Sequence, residues 1–280
     1  MTIKQLTTII DQATALKLIS QAYTEIASAK LKKIREAVER DRYFLEELSK
    51  VYQVVKQKAS ERGALPVKNN KAISIVITSN YHFYGDINSK LIKFFIENMQ
   101  NHVSSQIVIG KTALEYLVGV KYPQKYQPIV LKTDYPTLAE LNQLVSLVKN
   151  YSQILIFYSQ LKTVMVQTPI VTDITQASYL KNTPPEVEKR EPLFIFEPEL
   201  TKILDFFESQ VTNLLFQQTF LESELSRTAS RLISMDSAQS NADKYISEQK
   251  VLLSAVKRSI ANSRILETYT ALSSLKHSYE

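Results

Sequence analysis

LTKILDFFESQVTNLLFQQTFLESELSRTASRLISMDSAQSNADKYISEQKVLLSAVKRSI (residues 200–260) contains neither Gly nor Pro, and its apolar residues recur with a period of 3.5. Alternating steps of four and three from Leu200 meet Leu204, Phe207, Val211, Leu214, Gln218, Leu221, Leu225, Thr228, Leu232, Met235, Gln239, Ala242, Ile246, Gln249, Leu253, Val256 and Ile260, and fourteen of these eighteen positions are apolar. Such a seam predicts a long helix in a left-handed coiled coil. The rest of the chain supplies its partner. All four Gly (63, 85, 110, 119) and all nine Pro lie between Gly63 and Pro198. Because Gly costs roughly 1 kcal/mol and Pro roughly 3 kcal/mol inside a helix, residues 1–62 are as free to run as one helix as residues 199–280.

The N-terminal seam is Ile3, Leu6, Ile10, Ala13, Lys17, Ser20, Thr24, Ala27, Leu31, Ile34, Val38, Asp41, Leu45, Leu48, Tyr52, Val55 and Ala59, apolar at thirteen of seventeen positions. At the lapse from Lys17 to Thr24 an apolar row stands one position aside (Leu16, Ile19, Tyr23, Ile26), and the expectation is that the seam rotates onto it. At 1.5 Å per residue the two helices would be roughly 90 and 120 Å long. A body of about 140 residues has a radius of gyration of only about 14 Å, so the helices should protrude and zip together. The opposing reading is two separate amphipathic helices packed on the middle of the chain.

Residues 63–198 alternate strand-like and helix-like segments. AISIVITS (72–79), SQIVIG (105–110), PIVLK and QILIFYSQ (153–160) read as buried strands, while DINSKLIKFFIENMQN (86–101), KTALEYLV and PTLAELNQLVSLVKNY read as helices. That order implies a parallel, doubly wound sheet. TVMVQTPIVTDI (163–174) alternates and could add an antiparallel edge; NTPPEVEKREP (182–192) reads as a linker, followed by a strand LFIF. The expected fold is therefore a central Rossmann-like α/β domain (63–198) with an antiparallel coiled coil of the terminal helices (1–62 and 199–280).

Composition narrows the chemistry. The chain has 280 residues, 44% hydrophobic and 22% charged, with no Cys and three His (82, 102, 277) far apart. Thiolate metal sites, disulfides and cysteine nucleophiles are thereby excluded, and no metal site is expected. No apolar run approaches 18 residues and the N-terminus lacks a signal-peptide pattern, so neither a membrane span nor secretion is expected. A net charge of +6 permits an acidic partner without choosing one. Gly110-Lys111-Thr112 after a strand resembles the end of a phosphate-binding loop, but the spacing requires Gly at 105, where Ser105 stands. Tyr84-Gly85-Asp86-Ile87-Asn88 lacks the dinucleotide glycine pattern. No catalytic or cofactor-binding residue is expected. Basic residues Lys30, Lys32, Lys33, Arg35, Arg40 and Arg42 alternate with Glu36, Glu39 and Asp41, which suits a solvated coil face or an acidic protein surface better than nucleic acid. Lys257 and Arg258 flank the seam and should point outward.

Two segments carry a family resemblance. ISQAYTEIASAKL (19–31) is similar to the I-T-K-A-M-x-M-V-A-x-S-K-(L/M) helix of the gamma subunit of F-type rotary ATP synthases, matching at Ile19, Ala22, Ile26, Ala27, Lys30 and Leu31. After Glu197-Pro198, the run from Ala229 through Arg231, Met235, Ala238, Asn241 and Ala242 resembles that family's A-x-R-M-x-A-M-x-x-A-(T/S)-x-N-A, the more specific match. The family's D-R-G-L-C-G-x-(L/F)-N turn stands here as NYHFYGDIN (80–88), and its N-(K/R)-x-R-Q-x-x-I-T-x-E stretch as SAVKRSIANSR (254–264), with Lys257 for Arg and Arg258 for Gln. The resemblance implies a non-catalytic central rotor shaft inside a ring of three alpha and three beta subunits. A small epsilon-like stalk subunit and a membrane or adaptor complex would be further partners, and the assembly would sit in the cytoplasm on the inner face of the cell membrane. It further implies ring contacts at Tyr23, Lys30, Lys32, Lys33, Arg231, Lys257 and Arg258, an apolar bearing around Leu272 and Leu275, and stalk contacts at Tyr84, Gly85 and Asn88. A hydrolysis-only motor for motility or transport and a non-rotary coiled-coil adaptor are the alternatives.

Overall fold

A computed structural model describes residues 2–61, 69–100, 104–175 and 200–277. The elements run α1 (Ile3–Glu61), β1 (Asn69–Ile77), α2 (Ile87–Met99), β2 (Ser105–Ile109), α3 (Lys111–Gly119), β3 (Gln127–Ile129), α4 (Leu138–Val148), β4 (Tyr151–Thr163), β5 (Val166–Asp173) and α5 (Leu200–His277). The two breaker-free ends each form one helix, of 59 and 78 residues. The Pro-rich linker 182–192 and the expected strand LFIF lie outside the described residues. By contacts the chain forms two compact units, residues 1–26 with 232–280 and residues 27–231.

In the larger unit the strands lie in the order β3-β2-β1-β4-β5. The first four are parallel, and β5 returns antiparallel along β4, with Thr163 opposite Val166 and Leu155 opposite Asp173. Side chains alternate across a strand, and the alternation sorts two layers. Val76, Val108 and Phe157 face α2 and α3, where Phe95 meets the Phe157 ring edge-on at 5.1 Å. Ile73, Ile75, Ile77, Ile107, Ile109, Ile154, Ile156 and Tyr158 face the other way, against Leu141, Leu144 and Val148 of α4. The same core contains Leu45, Tyr52 and Val55 of α1 and Val211, Leu215, Phe216 and Phe220 of α5. The terminal helices therefore roof one side of the sheet as well as meeting each other, as the coiled-coil reading expects.

The seam is visible in burial. In the larger unit Ala27, Ile34, Val38, Leu45, Tyr52 and Val55 are buried on α1, as are Val211, Leu221, Leu225 and Thr228 on α5, and Ile34 and Val38 cluster with Leu221 and Leu225. Among the described residues the smaller unit contains only the two helices. Leu6, Ala13 and Ser20 are buried on one and Met235 and Ile246 on the other. Polar seam positions are used as cross-helix pairs: Lys17 Nζ meets Asp243 Oδ1 at 2.7 Å, and Gln217 Nε2, beside the seam, donates to Asp41 Oδ2 at 3.1 Å. Within the larger unit Lys30 meets Glu224 while Asp41, further along α1, meets Gln217, earlier on α5, so the two helices run antiparallel there.

One expectation fails. The seam does not rotate onto the neighbouring apolar row: Leu16, Ile19 and Ile26 are 63%, 52% and 59% exposed and only Tyr23 of that row is half-buried, whereas Ser20 is buried and Lys17 and Thr24 are half-buried. A strict 3.5-residue period keeps one stripe facing the partner helix, and the Lys17–Asp243 pair satisfies the charge that made the stripe look broken. Replacing Ile34 by Ala should therefore cost about 2–5 kcal/mol, whereas Ile26→Ala should stay within about 0.5 kcal/mol. Urea unfolding of the two variants checks this.

Candidate functional site

At the carboxyl edge of the sheet the chain consumes its own polar groups. The first amides of α3 point back at the end of β1: Lys111 N donates to Asn80 Oδ1 at 3.1 Å, Thr112 N to the Ser79 carbonyl at 3.1 Å, and Ala113 N to Thr78 Oγ1 at 3.3 Å. A phosphate-binding helix start needs those donors free. Gly110 adopts φ +105°, and a Cβ there would meet Thr78 Oγ1 at 2.6 Å, so the residue serves a tight strand-to-helix turn. The Gly-Lys-Thr triplet is therefore structural.

Residues 80–88 close over this edge. Asn80 N donates to Asp134 Oδ1 at 2.6 Å, and Asn80 Nδ2 to the Leu131 carbonyl at 2.8 Å, which ties the loop after β1 to the loop after β3. The Tyr84 hydroxyl donates to Asp134 Oδ2 at 2.5 Å. Burial chiefly, with the Asp134 hydrogen bond and charge, pushes the Tyr84 hydroxyl far above its ordinary value near 10. Asn88 Nδ2 donates to Ser79 Oγ at 2.7 Å. Phe83 at φ 67° and Gly85 at φ 62° make the bend; the left-handed conformation is costly for Phe, and the surrounding bonds hold it.

Helix α5 crosses here. Ser230 Oγ donates to the Tyr84 carbonyl at 2.7 Å, Arg231 donates to the His82 carbonyl at 3.0 Å, and its guanidinium lies 3.8 Å over the Tyr84 ring. Arg227, 1% exposed, donates to Ser223 Oγ at 3.0 Å and to the Asp134 carbonyl at 3.2 Å. Glu222 accepts from the Tyr158 hydroxyl at 2.8 Å, and burial with that carboxylate raises the Tyr158 pKa. On the side facing α1, Lys30 Nζ meets Glu224 Oε1 at 2.5 Å and Arg42 meets Glu222 Oε1 at 3.4 Å. Nearby, burial first, then the Asp41 and Glu224 charges, pushes Tyr135 up to about 12.

The residues singled out from the sequence thus divide. Lys32, Lys33, Lys257 and Arg258 are exposed, and Tyr23 is half-buried. Lys30 and Arg231 are engaged within the chain. Tyr84 and Asn88 point inward, 4% and 7% exposed, so at this turn Tyr81 and Phe83, at 52% and 60%, present the outer surface beside Gly85. Every residue from Lys257 to Leu272 is exposed, including Ile265, Leu266, Tyr269 and Leu272. The reason is register. With Lys17 opposite Asp243, the fourteen residues back to Ile3 bring the start of α1 opposite Lys257, and beyond that point α5 meets no further helix among the described residues of its unit. The Leu275 side chain lies outside the described residues. Sequence reading missed Asp134, Tyr158, Glu222, Glu224 and Arg227. The only local signal was polar density, ESELSRTAS at 222–230, inside a seam helix.

No helix among the described residues is long and apolar enough to cross a membrane, and no group of three potential metal ligands occurs among them. The architecture is that of a stalk subunit, two long terminal helices enclosing a small mixed sheet. The family model described as ATP synthase matches residues 2–272, and the chain belongs to that family. The ATP synthase gamma chain of Geotalea daltonii is 26% identical over 272 residues, covering 92% of this chain and 93% of the relative. That of Staphylococcus saprophyticus is 22% identical over 279 residues, covering 95% and 96%. The central stalk in a mitochondrial ATP synthase structure from Tetrahymena thermophila has the same fold, with TM-score 0.58, 17% identity, and coverage of 79% of this chain and 99% of that one. A chain of the Euglena gracilis enzyme in rotational state 3 gives TM-score 0.56 at 14% identity, covering 90% and 97%. The resemblance to the gamma subunit drawn from two helical segments therefore extends along the chain.

The raised Tyr84 pKa has a defined sign. The fold favours the neutral phenol, so this contribution to stability is whole below about pH 10, the ordinary tyrosine value, and is lost as pH rises from there toward the folded value. Tyr84→Phe should cost about 1.5–3 kcal/mol at pH 8 and should flatten the decline in stability between pH 10 and 12. Urea unfolding at pH 8 and pH 11 measures both effects.

Proposed function

We propose that the chain is the central rotor shaft of an F-type ATPase, placed within a ring of three alpha and three beta subunits, with no catalytic site of its own. The observation that carries the reading is the antiparallel seam between α1 and α5 in a member of this family, with α5 continuing exposed past Lys257. A stiff rod with unlike faces touches each ring subunit differently, so each nucleotide site has its own balance between open and closed. Hydrolysis changes which orientation of the rod is lowest in energy, and the rod turns.

The exposed cations Lys32, Lys33, Lys257 and Arg258 are assigned to acidic ring loops, and the half-buried Tyr23 to the same zone. The exposed end of α5, with Ile265, Leu266, Tyr269 and Leu272 at the surface, suits an apolar bearing. Few polar bonds there would leave rotation nearly free of barriers, and Leu275 is included in this bearing. The turn around Gly85 is assigned to an epsilon-like stalk subunit, met through Tyr81 and Phe83. The complex would sit peripherally on the inner face of the cell membrane. Purification with tagged alpha and beta subunits should return one copy of this chain per six ring subunits. Lys257→Ala with Arg258→Ala should lower ATP turnover of the assembled complex by about tenfold, the loss of roughly 1.4 kcal/mol of coupling, without changing that stoichiometry. Unchanged turnover would remove the pair from force transfer.

A further inference from the structure

From Thr219 to Ser230 every residue of α5 is buried, yet Glu222, Ser223, Glu224, Ser226, Arg227, Thr228 and Ser230 are polar. A helix meant only to be stable in a sheet-and-helix core would carry apolar residues there, because buried charges cost more in desolvation than they return in attraction. Their arrangement has a direction. Arg227, Ser230 and Arg231 stand at i, i+3 and i+4, and so share one face of the helix. From that face Arg227 reaches the loop after β3 through the Asp134 carbonyl, while Ser230 and Arg231 reach the loop after β1 through the Tyr84 and His82 carbonyls and the Tyr84 ring. The Tyr84–Asp134 hydrogen bond joins the two loops to each other. Elsewhere α5 supplies Val211, Leu215, Phe216 and Phe220 to the apolar core beneath the sheet.

Apolar contact is non-directional, so packing of the α5 apolar face is complemented where the hold on the helix must also be directional. Hydrogen bonds weaken steeply when their angle is lost, and three side chains fixed to two joined loops resist rotation of the helix about its own axis. We infer that Arg227, Ser230 and Arg231 are positioning residues forming a torsional key, which locks the α/β body to this stretch of α5 so that the two turn as one. The inference rests on the rotor reading and adds where torque passes between helix and body. Glu224 with Lys30 and Glu222 with Arg42 hold α1 to the same stretch from the other side.

The chain has no Cys, so single introduced thiols mark it cleanly. The experiment immobilises the assembled complex by its ring and follows a bead attached either to the body at Lys125→Cys or to α5 at Gln210→Cys, both exposed positions. In the Ser230→Ala, Arg231→Leu variant the angular variance of the body bead during pauses should rise about twofold or more, as expected when directional bonds are lost. The angular variance of the α5 bead should stay unchanged. Arg231→Lys keeps a cation over Tyr84 but loses the planar fork, and should fall between the two, which also covers the case in which the double variant fails to fold. Equal variance for the body bead in parent and variants would overturn the key. If the parent chain neither assembles with the ring nor turns, the rotor reading itself fails, and that outcome is distinct from a turning parent with an insensitive variant.

Discussion

The antiparallel seam between α1 and α5 is the constraint on which everything else depends. In proteins most helical stability comes from packing of an apolar face rather than from propensity, and the seam is where the two helices pack on each other. In the smaller unit, Leu6, Ala13 and Ser20 are buried on α1 and Met235 and Ile246 on α5, and Lys17 pairs with Asp243 across the two helices. In the larger unit the same repeat continues through Ala27, Ile34, Val38 and Leu45, with Val211, Leu221 and Leu225 opposite on α5. Polar residues within a seam lower stability but specify register. Lys17 is such a residue, and so is Asp41, whose pKa burial raises while Gln217 partly offsets that rise.

A second consequence concerns the sheet. In a doubly wound fold the carboxyl edge is where a ligand usually sits, and here that edge is filled by the protein itself. The helix-start amides of α3 are bonded to Thr78, Ser79 and Asn80, the bend at Phe83 and Gly85 folds Tyr84 onto Asp134, and α5 supplies two arginines over the top. An architecture associated with nucleotide binding thus serves as a socket for a helix.

Much of the fold was legible in the sequence because it rests on periodicity. The breaker-free ends, the two seams and the strands from Ala72, Ser105 and Gln153 follow from side-chain spacing, which the backbone geometry dictates. The alternating run before Ile174 was readable as an antiparallel edge for the same reason. What was not legible depends on groups distant in sequence. Ser230 and Tyr84 are 146 positions apart, and Arg227 and Asp134 are 93 apart, so nothing local marks Arg231 or Tyr84 as inward-facing. The rotated seam was misread because apolarity alone was counted. Leu16, Ile19 and Ile26 are apolar but lie outside the stripe, while Lys17 lies within it and finds an acid on the other helix.

The measurement that bears most directly on the shaft is a covalent link across the seam. With Lys17 and Asp243 both changed to Cys in this otherwise Cys-free chain, a short bismaleimide spacer should join the two helices within one molecule in high yield. The assembled complex should then turn over ATP at the rate of the unlinked protein, because helices that rotate as one body lose nothing by being tied. Failure to link, or a linked complex that no longer turns over, would contradict the account.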